Sequence, residues 1–261
     1  MNILEKISRK NIYLYLISKY LFQEYFYMFF YETEIEILKN INKKFKKGKC
    51  ILDIGANTGV FSKSVRIFDK HSVIKAYEPN NRLKYRLIKT KNKIQNFKFY
   101  LYGAGKSSKK QKMYLPFFKR YPLDSQLSSS IFLCKDSLSR GLFDKSALKK
   151  ITYKKLICKI VKIDQLKLKP FFIKVDTEGT ELEVLQGAKK TIKKYKPILM
   201  IERNDLVFNS IKNFLKSYNY KIFIYKDKKL KLYKKQNYFH TNFLCLSKNY
   251  LEEILVNKVL K

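Results

Sequence analysis

Two glycines and four acids carry most of the chemical information in this 261-residue sequence. Asp53, Gly55, Asn57 and Gly59 form a D-x-G-x-N-x-G turn inside ILDIGANTGVFS (51–62), which reads as a buried strand, a turn and a helix. Gly55 and Gly59 let the backbone approach a ligand and the helix pack closely on the strand, while the helix N-terminus offers unsatisfied N–H donors. Glu78 follows Gly59 by nineteen positions and ends the next strand, where a carboxylate accepts hydrogen bonds from ribose hydroxyls. A nucleoside suits this arrangement. A dinucleotide such as NAD does not, because G-x-G-x-x-G is absent and Asp53 is unfavourable toward phosphate but suited to a cationic group. Asp176 and Glu202 end two further apolar runs, FFIKVD (171–176) and PILMIE (197–202).

These residues need a sheet to bring them together. From Cys50 onward apolar runs alternate with helical patterns, the rhythm of βαβ units. The reading is a doubly wound, Rossmann-like α/β domain with a mostly parallel seven-stranded sheet over 50–247, an N-terminal helical appendage over 1–49 and a C-terminal helix over 248–261. Strands are expected at 50–54, 72–77, 96–102, 157–163, 171–176 and 197–201, with short closing strands after 220. Asn80 is placed to cap a helix through about Lys91, and a single helix is expected over Glu181–Tyr195. The stretch from Gln111 to about Ser146 has weak periodicity and reads as a long functional loop.

The formal charge is +36, which by itself suggests an anionic partner. The cations are fifty Lys and seven Arg, however, and nucleic-acid readers favour the planar Arg fork. Nucleic acid is therefore not expected as a partner. Cys50, Cys134, Cys158 and Cys245 are far apart and lack the spacing of a zinc site, so they read as reduced core thiols in a cytoplasmic setting. The aromatic-rich segment from Ile12 to Tyr31 is interrupted by Lys19 and Glu24, which leaves pieces too short to span a bilayer. It reads as an amphipathic helix that packs on the domain or lies peripherally on a membrane surface. His71 and His240, the two histidines, anchor no chemistry.

The sequence resembles the FkbM-type methyltransferases through ILDIGANTGVFS (51–62), AYEPN (76–80), VKIDQL (161–166), IKVDTEGTELEVLQGA (173–188) and PILMIE (197–202), over about residues 50 to 225. That resemblance implies transfer of a methyl group from S-adenosylmethionine to a hydroxyl of a sugar, polysaccharide or related metabolite. It implies that Asp53, Gly55, Asn57, Gly59 and Glu78 line the cofactor, with Gly103 and Ala104 near the adenine. The turn Gly103-Ala104-Gly105-Lys106 lacks the acid that often follows it in the family, and the segment Ser125–Leu142 cannot be matched residue by residue.

Methyl transfer to a hydroxyl needs positioning and a proton acceptor. Asp176 is expected beside the methyl position, with Glu178 and Glu202 on the same rim. One of them serves as base, or two hold a divalent ion such as Mg²⁺. The plainer role for Glu178 and Glu181 is to cap the helix that follows.

Overall fold

Strand β1 (Cys50–Ile54) is buried at every position and lies at the centre of the sheet, so its two faces must both be covered. The computed structural model describes residues 17, 20, 21, 23, 25, 32–41, 43–139, 148–234 and 242–247. A 3₁₀ segment (Thr33–Asn40) and a single helical turn α1 (Lys43–Lys46) precede β1. There follow α2 (Val60–Phe68), β2 (Val73–Tyr77), a 3₁₀ turn running into α3 (Lys84–Lys93), and β3 (Phe97–Tyr100). Next come β4 (Gly103–Ala104), β5 (Lys109–Phe118), β6 (Tyr121–Pro122), α4 (Ile131–Ser139) and β7 (Ile151–Val161). The chain continues through β8 (Pro170–Val175), α5 (Glu181–Gly187), α6 (Lys189–Tyr195), β9 (Ile198–Glu202) and α7 (Phe208–Ser217). It closes with β10 (Tyr220–Lys226), β11 (Lys229–Leu232) and β12 (Asn242–Ser247).

The main sheet has eight strands in the order β11-β10-β12-β9-β8-β1-β2-β3, not seven. Strands β9, β8, β1, β2 and β3 run parallel, whereas β12, β10 and β11 are joined antiparallel. The extra strand is β11, which returns on β10 through the Asp227-Lys228 turn, both residues left-handed.

Side-chain alternation assigns the two faces. Ile51, Phe172, Ile198 and Met200 join Phe61, Val65 and Leu87 in one cluster, while Leu52, Ile54, Ile173, Val175, Leu199 and Ile201 meet Val184, Leu185 and Ile192 in the other. Ile35, Ile37 and Leu38 are fully buried in the first cluster. Ile41 joins them there, so this 3₁₀ segment packs into the core. The expected C-terminal helix over 248–261 lies outside the described residues.

Three further expectations are corrected. The long loop after Gln111 is largely ordered: β5 pairs antiparallel with β7 along its whole length, in a second sheet of order β4-β7-β5-β6. The strand expected at 157–163 is the second half of β7, which starts at Ile151. The single helix over Glu181–Tyr195 breaks at Ala188, where Gly187 packs against the turn at Gly105; a Cβ on Gly187 would stand 2.0 Å from the Gly105 carbonyl oxygen.

Candidate functional site

A cleft of about 200 Å³ opens at the carboxyl ends of β1, β2, β8 and β9. This is the switch point of the sheet, where the strand order departs in both directions from β1. Of the residues singled out from the sequence, Gly55, Asn57, Glu78, Gly103, Ala104, Asp176 and Glu202 line it. Asp53 and Gly59 do not.

Gly55 bridges β1 to the loop after β8. Its φ is +79°, its N–H donates to the Tyr77 carbonyl, and a Cβ would stand 1.7 Å from the Asp176 carbonyl oxygen. Asn57 is also left-handed (φ 52°), and this turns its N–H toward the Glu78 side chain. Glu78 is 6% exposed. Its Oε2 accepts from the Asn57 N–H at 2.8 Å and its Oε1 from the Asn80 N–H at 2.8 Å. These two bonds fix the carboxylate and leave it further lone pairs. Burial pushes its pKa up to about 7, against the two N–H donors. Gly59 (φ +78°) serves packing: a Cβ there would stand 2.8 Å from Thr90 Cγ2.

Asp53 lies beneath the cleft. It sits on the same face of β1 as Ile51, opposite Lys174 in the β1–β8 register, and its Oδ2 accepts from Ser62 of α2 at 2.6 Å. Its Oδ1 is buried with no hydrogen-bond partner among the described residues. Burial raises its pKa, with the Lys174 charge opposing. Lys174 is buried on a central strand because it is the counter-ion of the site: its Nζ donates to Asp176 Oδ2 at 2.8 Å. Burial works against its ammonium, but the charges of Asp176, Glu32 and Asp53 outweigh it and lift its pKa above the usual lysine range.

Glu202 faces Asp176 from the end of β9. Burial drives its pKa well above the carboxylate range, and the charges of Asp176 and Glu178 and a hydrogen bond with Asp176 add to this. Burial thus favours a proton on Glu202, while Asp176 is ion-paired with Lys174. Among the described residues no group of three or more His, Cys, Asp or Glu is disposed to hold a metal ion, so the expectation of Mg²⁺ has no support.

A roof over the cleft comes from the segment that could not be read from sequence. Glu178, held left-handed at φ 52°, accepts from Gln126 Nε2 at 3.2 Å and Ser137 Oγ at 2.6 Å, and its carbonyl accepts from Ser128 Oγ at 2.9 Å. On the other side Asp124 accepts from Arg82 Nε at 2.7 Å and, through its carbonyl oxygen, from Asn80 Nδ2 at 2.9 Å. Asp124, Ser125, Gln126, Leu127 and Ser129 consequently line the cleft. Glu181 takes the plain role: its Oε1 accepts from the N–H groups of Thr177 and Gly179 and from Thr177 Oγ1, which shapes the loop. Asp164 of the VKIDQL segment is likewise structural, accepting from the N–H groups of Lys190 and Thr191 at the start of α6.

Four lining residues, Gln23, Met113, Ile160 and Glu183, carried no signal in the sequence. Glu183 lies near Gly105, so it brings a carboxylate to the turn that lacks one of its own. Six acids line the cleft and, among the described residues, no Lys, Arg or His does. In a chain of charge +36 this is an acidic island.

Burial of Glu78 has a consequence for stability. Its folded pKa of about 7 lies above the unfolded value near 4.5, so its contribution is fully present below pH 4.5 and is lost as pH rises through 7. Glu32, likewise raised to about 7 by burial, acts in the same direction. Asp53 and Glu202, also raised by burial, act in the same direction. The ligand-free protein is expected to be more stable at pH 6 than at pH 8 by about 2 kcal/mol, roughly 5 °C in Tm. Calorimetric scans at both pH values check this; a higher Tm at pH 8 would contradict the assignment of raised carboxylates.

A doubly wound α/β domain with an acid-lined cleft at its switch point is thus the class that fold and site define. Within that class, the model of the FkbM methyltransferase domain matches residues 53–222, and the chain belongs to that family. The solved FkbM methyltransferase of Methylobacillus flagellatus KT is similar over 76% of this chain and 43% of that one, at 18% identity and a TM-score of 0.47. Precorrin-6y C5,15-methyltransferase of Geobacter metallireducens GS-15 is similar over 83% and 86%, at 12% identity and a TM-score of 0.40. The chain spans less than half the length of the first of these. Among curated proteins none matches the sequence.

Proposed function

We propose that this protein is an S-adenosylmethionine-dependent methyltransferase that acts on a hydroxyl of a sugar, polysaccharide or related neutral metabolite. The observation that carries this reading is the pairing, in one acid-lined cleft, of the Glu78 carboxylate at the end of β2 with the Asp176–Glu202 pair at the ends of β8 and β9. Glu78 is held rigidly enough to accept from two vicinal ribose hydroxyls. Pro79, Ala104, Met113 and Ile160 give the cleft an apolar part suited to a purine ring. The acidic lining favours a cofactor of net positive charge and disfavours phosphate, which weighs against RNA as the acceptor.

S-adenosylmethionine, held by Glu78 and the apolar wall, would supply a methyl carbon activated by sulfonium, its sulfur keeping the bonding pair as the acceptor oxygen takes the methyl, so that what is asked of the protein is to accept the hydroxyl proton. Asp176 is the acceptor of that proton, because the Lys174 ammonium beside it favours its ionised form while burial favours a proton on Glu202. Glu178 positions the roof over the acceptor and excludes water. Free, buried thiols at Cys50, Cys134, Cys158 and Cys245 fit a reducing, cytoplasmic setting.

Replacement of Glu78 by alanine is expected to weaken S-adenosylmethionine binding by about tenfold to a hundredfold, the worth of hydrogen bonds to a charged group. Isothermal titration of both proteins measures this, and unchanged affinity would remove Glu78 from the nucleoside site. Labelled methyl from S-adenosylmethionine should appear on neutral glycans and not on RNA. Label on RNA alone would overturn the acceptor class.

A further inference from the structure

Ile17, Tyr20, Leu21 and Tyr25 of the N-terminal segment are exposed apolar side chains. Ile17, Tyr20 and Leu21 are α-helical, and Gln23 and Tyr25 continue in a π-type turn. Ile17, Leu21 and Tyr25, four residues apart, share one face. They are 56%, 41% and 62% exposed. The opposite face is the anchored one: Gln23 is buried, lines the cleft and accepts through its carbonyl from Lys63 Nζ. Exposed apolar side chains grouped in this way mark a surface suited to an apolar partner.

Helix α3 extends the same surface. The Tyr20 ring lies under the Arg86 guanidinium (5.1 Å to the centroid) and the Tyr25 ring near Lys93 Nζ (5.8 Å). Tyr85 and Ile88 of α3 are themselves exposed, at 67% and 37%. The α3 sequence KYRLIKTKNK has five cations and no acid. Aliphatic side chains, tyrosines and cations on adjacent helical faces match the headgroup zone of an anionic bilayer, where the rings and lysine stems sit among acyl chains and the ammonium groups meet lipid phosphates. The predominance of Lys over Arg fits diffuse attraction to a charged surface better than the two-bond recognition of a nucleic acid. Among the described residues no helix is long and apolar enough to cross a membrane, so the contact is peripheral.

We propose that the face formed by Ile17, Tyr20, Leu21, Tyr25 and α3 docks the protein on an anionic lipid surface, with Gln23 linking that face to the cleft. The inference stands apart from the proposed methyl transfer and is tested without it. The full chain is sedimented with vesicles of phosphatidylglycerol and phosphatidylcholine, and with phosphatidylcholine alone. Binding to the anionic vesicles is expected, with a drop in affinity of about tenfold or more for I17S/L21S/Y25S and for K84Q/K89Q/K93Q. A control of equal charge change, K43Q/K44Q/K47Q, removes lysines from the segment before β1 and should keep its binding. Equal losses in the control and the α3 variant, or wild-type affinity in the apolar variant, would overturn the proposal in favour of general charge attraction. Displacement from vesicles by single-stranded RNA that itself loses affinity in the α3 variant, or a wild-type dimer that the apolar variant converts to monomer, would overturn it by naming a different partner. Because all substituted side chains are exposed or at the surface of α3, circular dichroism should match wild type; if the apolar variant misfolds, the α3 variant decides alone.

Discussion

With Asp176 replaced by asparagine, methyl transfer is expected to slow by about 10²- to 10⁴-fold, the range for loss of a positioned general base, while S-adenosylmethionine affinity changes less than about threefold. The companion variant Glu202→Gln is expected to cost less than about tenfold. The asymmetry follows from the bias of the pair: burial and the charges of Asp176 and Glu178 favour a proton on Glu202, and glutamine resembles that protonated form in shape and donates in the same direction. The asparagine of the Asp176→Asn variant would have no anion to offer the acceptor and would leave Lys174 facing Glu32 and Asp53. Single-turnover rates with labelled cofactor separate chemistry from binding. Equal slowing in both variants would mean that the carboxylates act as one unit, and equal loss of binding would move Asp176 from the acceptor side to the cofactor side.

The second large effect is structural. Gly55→Ala is expected to destabilise the domain by more than about 3 kcal/mol and to abolish cofactor binding, because its Cβ would stand 1.7 Å from the Asp176 carbonyl oxygen and 2.8 Å from the carbonyl carbon. Backbone fixed at the ends of two central strands yields less than a side chain does, and φ +79° adds strain for any L residue. Gly59→Ala provides the scale: its closest contact is Thr90 Cγ2 at 2.8 Å, a side chain able to shift, so a loss of about 1 to 2 kcal/mol is expected. Urea midpoints for the two variants check the order; a Gly55→Ala protein as stable as wild type would show that β1 and the loop after β8 are not in contact there.

The ordering of these effects shows what the sequence makes legible. Gly55, Asn57 and Glu78 could be picked out because their roles depend on local geometry: a strand end, a left-handed turn and a fixed offset to the next strand end. Asp53 looked equivalent, yet strand alternation turns it toward α2 and Ser62, and only the pairing of β1 with β8 reveals Lys174 beside it. Strand β5 escaped notice because its start, Lys109 to Lys112, is polar and mostly exposed, and it pairs with a strand more than thirty residues away. Register over such a separation leaves no periodic mark. The roof residues Gln126, Ser128 and Ser137 look like any polar linker until Glu178 meets them from the other side of the chain. The same holds for Glu183, whose helix breaks at Ala188 and packs through Gly187 against Gly105.

The measurement that tests the central claim most directly is calorimetric titration of the purified protein with S-adenosylmethionine, alongside NAD. Micromolar binding of S-adenosylmethionine, lost or strongly weakened in Glu78→Ala and without detectable binding of NAD, is the predicted result. A folded protein that binds NAD, or that binds neither ligand, would contradict it.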